Sequence, residues 1–182
     1  MEGLLQWEGT FLLWIQEAVR SPVLDLIVCL YTRLGNGGML WIALCLLMLC
    51  FPKTRRAGIA GGLGLVFSLL FTNILLKPLV DRTRPWLVID GLLPLVVEND
   101  PKSFPSGHTS AAFACAAAWF FTLPRRWMGV LGMAVAAVMG LSRLYVGVHF
   151  PTDVLCGALV GIFSGILSYQ IIKIFGERRR TT

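Results

Sequence analysis

The chain reads as long apolar blocks broken by short polar punctuation. An opening stretch at 4–20 mixes Leu4, Leu5, Trp7, Phe11, Leu12, Trp14 and Ile15 with Glu8, Gln16 and Glu17. That pattern predicts either an amphipathic helix in the membrane interface or the start of a broken first span. After Ser21-Pro22 an apolar piece runs to about Leu34, followed by the turn Gly35-Asn36-Gly37-Gly38. Further apolar runs cover about 39–51, 57–76, 107–123, 127–141 and 151–175. Their length and composition predict a polytopic helical membrane protein. In the 57–76 run, Gly58, Gly61, Gly62 and Gly64 allow close contact between helices. Residues 77–106 form the one long connection rich in polar positions, and no repeat or low-complexity segment is present.

Composition supports the membrane reading and excludes a soluble role: 56% of residues are hydrophobic and 14% charged, with a mean hydropathy of +0.73. The first residues do not read as a signal peptide, because no basic start is present and Glu2, Glu8 and Glu17 interrupt the apolar stretch. The net charge of +6 does not imply nucleic acid, since the basic residues sit in short loops and at the C-terminus. Cys29, Cys45, Cys50, Cys115 and Cys156 lie in apolar segments without metal-ligand spacing. They read as packing residues rather than as a disulfide framework or a zinc site.

Orientation follows from where the cations fall. If the last four runs each cross once, one face receives Lys53, Arg55 and Arg56, then Arg125 and Arg126, then Lys173 and Arg178 to Arg180. The positive-inside rule makes that face, and with it the C-terminus, cytoplasmic. The opposite face then receives three polar clusters: 77–85, 103–110 and 142–153. Charged residues beside a bilayer are costly to place and are functional candidates by default.

The third cluster holds Arg143, His149 and Asp153. Pro151 disfavours helix at Phe150 but suits the first turn of a new helix. His149 is therefore expected on a bend, with Asp153 in the first turn beyond it. A carboxylate there can accept from one imidazole nitrogen and leave the other free as nucleophile or base. The first cluster offers Lys77 and Arg84, a point charge and a fork suited to a phosphate. In the second, Ser106 is placed as the N-cap of the 107–123 helix, and Gly107 lets the backbone approach a ligand. Free N–H groups at that helix start make an anion site, and His108 is placed to give a proton to a departing group. Cations, a helix N-terminus and two histidines suit phosphoryl transfer, which rests on positioning and charge stabilisation. No acidic cluster for magnesium accompanies them, so the expected chemistry is metal-independent, with no metal ligands and no cofactor. Asp81 and Arg82 receive no catalytic role.

Lys77-x6-Arg84-Pro85, Pro105-Ser106-Gly107-His108 and Ser142-Arg143-x5-His149-x3-Asp153 resemble the three signature motifs of the type 2 phosphatidic acid phosphatase superfamily. Every signature position is filled, in order, within residues 77–153. The resemblance implies an all-α membrane bundle of about six transmembrane helices, the first either broken or partly interfacial, in a single domain over 1–182. It further implies that His149 attacks phosphorus to give a phosphohistidine, with Asp153 orienting it. His108 would act as general acid and then base, while Lys77, Arg84, Ser106, Gly107 and Arg143 hold the phosphoryl oxygens. The substrate class implied is a membrane lipid phosphate: undecaprenyl diphosphate by preference, or phosphatidylglycerophosphate or phosphatidic acid. The expected setting is the bacterial cytoplasmic membrane with the site facing outward, and 86–104 bordering its entrance. A lipid phosphotransferase would use the same residues, and a non-catalytic lipid-phosphate carrier is the alternative from another class. The physiological lipid and the oligomeric state are not readable from the chain.

Overall fold

A computed structural model describes the backbone of residues 2–181 and the side chains of residues 3–176. Helix α1, Glu2–Trp14, continues into a π-helical turn at Ile15–Val19. Ser21 lies extended just ahead of α2, Pro22–Leu34, whose first position is the proline. Gly37 and Gly38, at φ 57° and 74°, supply the left-handed backbone that turns the chain into α3, Met39–Leu49. Helix α4, Arg55–Leu69, passes through a π-helical stretch at Leu70–Leu76 into α5, Lys77–Val80. Asp81, at φ 48°, closes that end in the left-handed region. The polar connection then leads to α6, Gly107–Thr122, followed by α7, Arg126–Tyr145, and α8, Pro151–Thr181.

The opening stretch is helical, as the amphipathic pattern implies, and so is every later apolar run. Helix α7 runs further than the apolar pattern suggests and carries Ser142 and Arg143 in its last turn. Among the described residues, the α4–α5 segment Arg55–Val80, helix α7 and Pro151–Gly176 of α8 are long and apolar enough to cross a membrane. The α2–α3 pair, bent by 51°, brings that number to four if it crosses as one broken span. Helix α6 has 16 residues and sits at the centre, against α4, α7 and α8.

Small residues pack the interior and large apolar ones face out, the reverse of a soluble protein. On α8, Leu155, Leu159 and Phe163 are 57–67% exposed. The other face of that helix carries Gly157, Gly161 and Gly165, pressed on the backbone of α6. A Cβ at Gly161 would stand 2.4 Å from the Ser110 carbonyl oxygen, and one at Gly165 2.4 Å from that of Ala114. Spacing of four along a helix puts all three glycines on one stripe, the small-residue geometry that lets membrane helices approach closely. This stripe, and not only the α4 glycines, brings the α6 backbone close to α8. Of the α4 set, Gly58, Gly61 and Gly64 do meet neighbours, whereas Gly62 faces open space. A buried core of Trp41, Cys45, Ala57, Cys115, Trp119 and Met139 lies around α6. A second, of Leu12, Ile15, Leu92, Leu144, Val148 and Phe150, seats α1 beside the 146–150 bend. All five cysteines are free thiols, with Cys45 and Cys115 buried together and their sulfurs 3.8 Å apart.

Candidate active site

The glycine stripe sets the N-terminal ends of α6 and α8 side by side. Ser106, fully buried, caps α6 by accepting from the Thr109 hydroxyl at 2.9 Å and, more loosely, from the Thr109 N–H at 3.5 Å. Its own N–H donates 3.0 Å to the Asp153 carbonyl, tying the start of α6 to the first turn of α8. Gly107 is hemmed in, since a Cβ there would lie 3.3 Å from Asn73 Oδ1 on the π-helical stretch. A π-helical turn widens the helix and commonly accompanies a site; here it precedes Lys77.

His149 lies on the bend before α8 and Asp153 in that helix's first turn, as Pro151 dictates. Both side chains are buried, at 2% and 0% exposure. Asp153 Oδ2 accepts from the Phe150 N–H at 2.8 Å and stands 3.6 Å from His149 Nδ1. That separation is beyond a hydrogen bond, and Nδ1 has no other hydrogen-bond partner. At the other edge of the ring, Arg84 Nη1 lies 3.3 Å from Nε2. Arginine has no acceptor, so Nε2 must be the accepting nitrogen, and in the neutral ring the proton sits on Nδ1, toward the carboxylate. Burial, with the charges of Arg143, Arg84 and Lys77 adding to it, holds the His149 imidazole well below its ordinary range. The ring is therefore neutral, with a bare nitrogen turned toward arginine.

The cations converge from separate elements. Arg84, 2% exposed, donates from Nε to the Asp100 carbonyl at 2.7 Å and from Nη1 to the Val148 carbonyl at 3.1 Å. Arg143, 1% exposed, donates to Thr32 Oγ1 on α2 at 2.6 Å. Lys77 pairs with Asp100 at 2.7 Å. The Glu98 carboxylate lies between the two arginines, hydrogen-bonded to Arg143 Nη2 and 3.8 Å from Arg84 Nη2. The 86–104 connection thus meets the cations directly rather than only bordering them, and Arg143 Nε remains buried without a partner. His108, half-buried, sits in the first turn of α6 with Nε2 at 2.9 Å from Asn36 Oδ1, in the α2–α3 turn. Gly35 makes room for that ring, since a Cβ there would stand 2.7 Å from His108 Cδ2.

All eight residues singled out in the sequence lie in this one region. Glu98 and Asp100, expected in the sequence only at the border of the entrance, pair with the cations themselves. Two further neighbours were not legible there: Asn36 on His108, and Arg82, whose Nη1 lies 2.8 Å from Asp153 Oδ1. The only signal for Arg82 was its place inside the first cluster, two residues before Arg84.

Fold and site define an integral-membrane helix bundle that gathers buried cations around a neutral histidine. A profile described as the PAP2 superfamily matches residues 61–177. The chain belongs to that superfamily. It is 34% identical over 131 residues to the undecaprenyl-diphosphatase of Sulfolobus acidocaldarius, covering 72% of this chain and 63% of that one. To phosphatidylglycerophosphatase B of Bacillus subtilis it is 32% identical, covering 88% of this chain and 79% of the relative. The structure is similar to that of the PAP2-type phosphatidylglycerolphosphate phosphatase from Bacillus subtilis, with a TM-score of 0.74 at 27% identity over 98% of this chain and 88% of the other. Aquifex aeolicus LpxE gives the same score and identity over 92% and 93% of the two chains.

Proposed function

We propose that this chain hydrolyses the terminal phosphate of a membrane lipid through a phosphohistidine on His149, at the outer face of a bacterial cytoplasmic membrane. The observation that carries the reading is the setting of His149: buried, with Nδ1 facing the Asp153 carboxylate at 3.6 Å and Nε2 3.3 Å from Arg84 Nη1, which leaves Nε2 as the accepting nitrogen. An in-line attack on phosphorus needs that lone pair and needs the oxyanion charge held by fixed donors. Arg84, Arg143, Lys77 and the N–H groups at the start of α6 would hold the phosphoryl oxygens. The carboxylate of Glu98 occupies the anion position between the arginines and is displaced when substrate enters. Asp153 favours the attacking tautomer and the imidazolium that forms. Burial, with the charges of Arg143, Arg84 and Lys77 adding to it, holds the His108 imidazole down at about 2. It therefore takes up a proton as the anionic substrate offsets those cations, gives that proton to the leaving oxygen, and then takes one from the water that cleaves the phosphohistidine. With the charge stabilised by protein cations, the steps require no metal.

The relatives are named for undecaprenyl diphosphate, phosphatidylglycerophosphate and lipid A phosphate. What these names share is a lipid phosphate, and a polyprenyl diphosphate, the class for which the Sulfolobus relative is named, is our first choice. The distribution of cations supports an outward-facing site and a cytoplasmic C-terminus.

The test is phosphate release in detergent with EDTA present, from undecaprenyl diphosphate, phosphatidylglycerophosphate and phosphatidic acid. Release from at least one lipid is expected, with kcat lowered by about 10³-fold or more in His149→Ala. Release that needs a divalent metal, or that survives the substitution, would overturn the mechanism. Transfer to an added acceptor lipid in place of water would move the reading to a phosphotransferase, and binding without turnover to a carrier.

A further inference from the structure

The amphipathic helix α1 turns Leu4, Leu5, Trp7 and Trp14 outward, each at least 41% exposed, yet Glu8 on the same helix is completely buried. A buried carboxylate is expensive unless it is fully paired. Glu8 is so paired, and every partner lies beside the catalytic pair. Its Oε1 accepts from the Thr152 N–H at 2.9 Å and from the Thr152 hydroxyl at 2.6 Å. Its Oε2 meets Arg82 Nη2 at 2.5 Å. The same guanidinium reaches with Nη1 to Asp153 Oδ1 at 2.8 Å and to Thr152 Oγ1 at 2.7 Å. Its plane lies over the Phe150 ring, 3.8 Å from the centroid. Arg82 is itself held from behind, its carbonyl accepting from the Ser103 N–H at 2.7 Å.

From this we infer that Arg82 and Glu8 are positioning residues for the His149–Asp153 pair, so that the membrane-facing helix α1 completes the catalytic site. The inference rests on the phosphoryl-transfer reading above. Asp153 has two oxygens with different duties. Oδ2 serves the Phe150 N–H and faces His149 Nδ1. Oδ1 is taken by Arg82. A guanidinium that grips Oδ1 prevents the carboxylate from rotating away and keeps its charge in place opposite the ring. Glu8 then fixes the guanidinium and, through Thr152, the helix turn that carries Asp153. Neither residue contacts the cations of the phosphate site, so their effect is expected on the chemical step and not on anion binding. A bidentate bridge between two carboxylates is a task for arginine that lysine cannot fully perform.

The test compares wild type with Arg82→Met, Arg82→Lys and Glu8→Gln, using whichever of the three lipids wild type turns over. Arg82→Met is expected to lower kcat by about 10- to 100-fold, Glu8→Gln by about threefold to tenfold, and Arg82→Lys by an intermediate factor. KM and the inhibition constant of inorganic phosphate should stay within about twofold, because Lys77, Arg84 and Arg143 are untouched. A kcat within about twofold of wild type in Arg82→Met, or a kcat loss matched by an equal weakening of phosphate inhibition, overturns the inference. If Arg82→Met does not fold, the conservative pair Arg82→Lys and Glu8→Gln carries the same comparison. A second readout needs no turnover and so separates this inference from the choice of substrate. The chain has two histidines, so His108→Asn leaves a single imidazole for ¹⁵N NMR. With Arg82 present the signal should report a proton on Nδ1 and a bare Nε2, and Arg82→Lys or Glu8→Gln should mix the tautomers. An unchanged tautomer in both variants contradicts the positioning role.

Discussion

Two halves of the site are built on different principles. One half is borne by helices: Ser106 and His108 at the start of α6, Arg143 at the end of α7, Asp153 in the first turn of α8. Their relative positions follow from backbone packing, with the Gly157-Gly161-Gly165 stripe pressed on α6 and the Ser106 N–H bonded to the Asp153 carbonyl. The other half is borne by the 81–104 connection and is held by charge. Arg82 bridges Glu8 and Asp153, Arg84 grips two carbonyls, and Glu98 and Asp100 neutralise the cations around them. Steric contacts leave the helix half almost no freedom. Ion pairs allow the connection half to exchange one anion for another, as the proposed phosphoryl transfer requires.

The sharpest way to break this comparison is to crowd the helix half. Gly161→Leu should prevent folding or lower the detergent melting temperature drastically, and even Gly161→Ala should cost about 1–3 kcal/mol, because the new Cβ meets backbone. Gly62→Ala, where a Cβ meets nothing within 4 Å, should leave the melting temperature within experimental scatter. Equal losses at both positions would contradict the packing account. Next in size is Arg84→Lys on the charged half, which keeps the charge but cannot serve the Asp100 carbonyl, the Val148 carbonyl and His149 together. Steady-state kinetics should show kcat lower by about 10- to 100-fold with the fold intact. Unchanged kcat would mean the fork has no role.

A smaller effect is expected where the connection supplies its own anion. Glu98→Gln removes the carboxylate that substrate must displace, so KM and the phosphate inhibition constant should both fall, by about threefold to tenfold. A rise in both would show that Glu98 helps to bind the substrate instead of competing with it. The smallest expected effect is on pH and stability. The folded chain holds His149 well below the ordinary imidazole value of about 6.5, so below that pH the unfolded chain takes up a proton that the folded chain refuses. Stability from this residue is therefore fully present above about pH 6.5 and declines as the pH falls. Melting temperatures between pH 7 and 5 should drop more steeply for wild type than for His149→Gln. Parallel slopes would remove the burial argument.

The same division explains what could be read from the sequence. Helix identities, the bend at His149, the cap at Ser106 and the convergence of eight site residues were legible. Each depends on local rules such as apolar run length, proline position and N-cap chemistry, or on a motif whose spacing is fixed. The α8 glycines recur every four residues in the sequence, but their partners lie some fifty residues away on α6, and the spacing alone does not say which helix the stripe meets. The partners of the charged half were hidden for a different reason. Glu98, Asp100 and Arg82 sit in irregular chain, where reach and rotamer decide who pairs with whom. Glu8 read as part of the polar face of an amphipathic helix, while the fold buries it completely and exposes Trp7 beside it. Membrane surroundings invert the usual inference that a charge faces the solvent. The end of α7 was misjudged by the apolar pattern because Arg143 is buried and paired inside the last turn, where a charge would normally mark the end of a span.

The central claim is that His149 Nε2 forms a bond to phosphorus, and trapping that bond tests it directly. Wild-type protein mixed with terminally ³²P-labelled lipid substrate and quenched within milliseconds should carry label on the polypeptide. That label should be stable to alkali, released by acid as a phosphoramidate is, and absent from His149→Ala. No labelled protein under conditions of burst turnover, or label that persists in His149→Ala, would contradict the account.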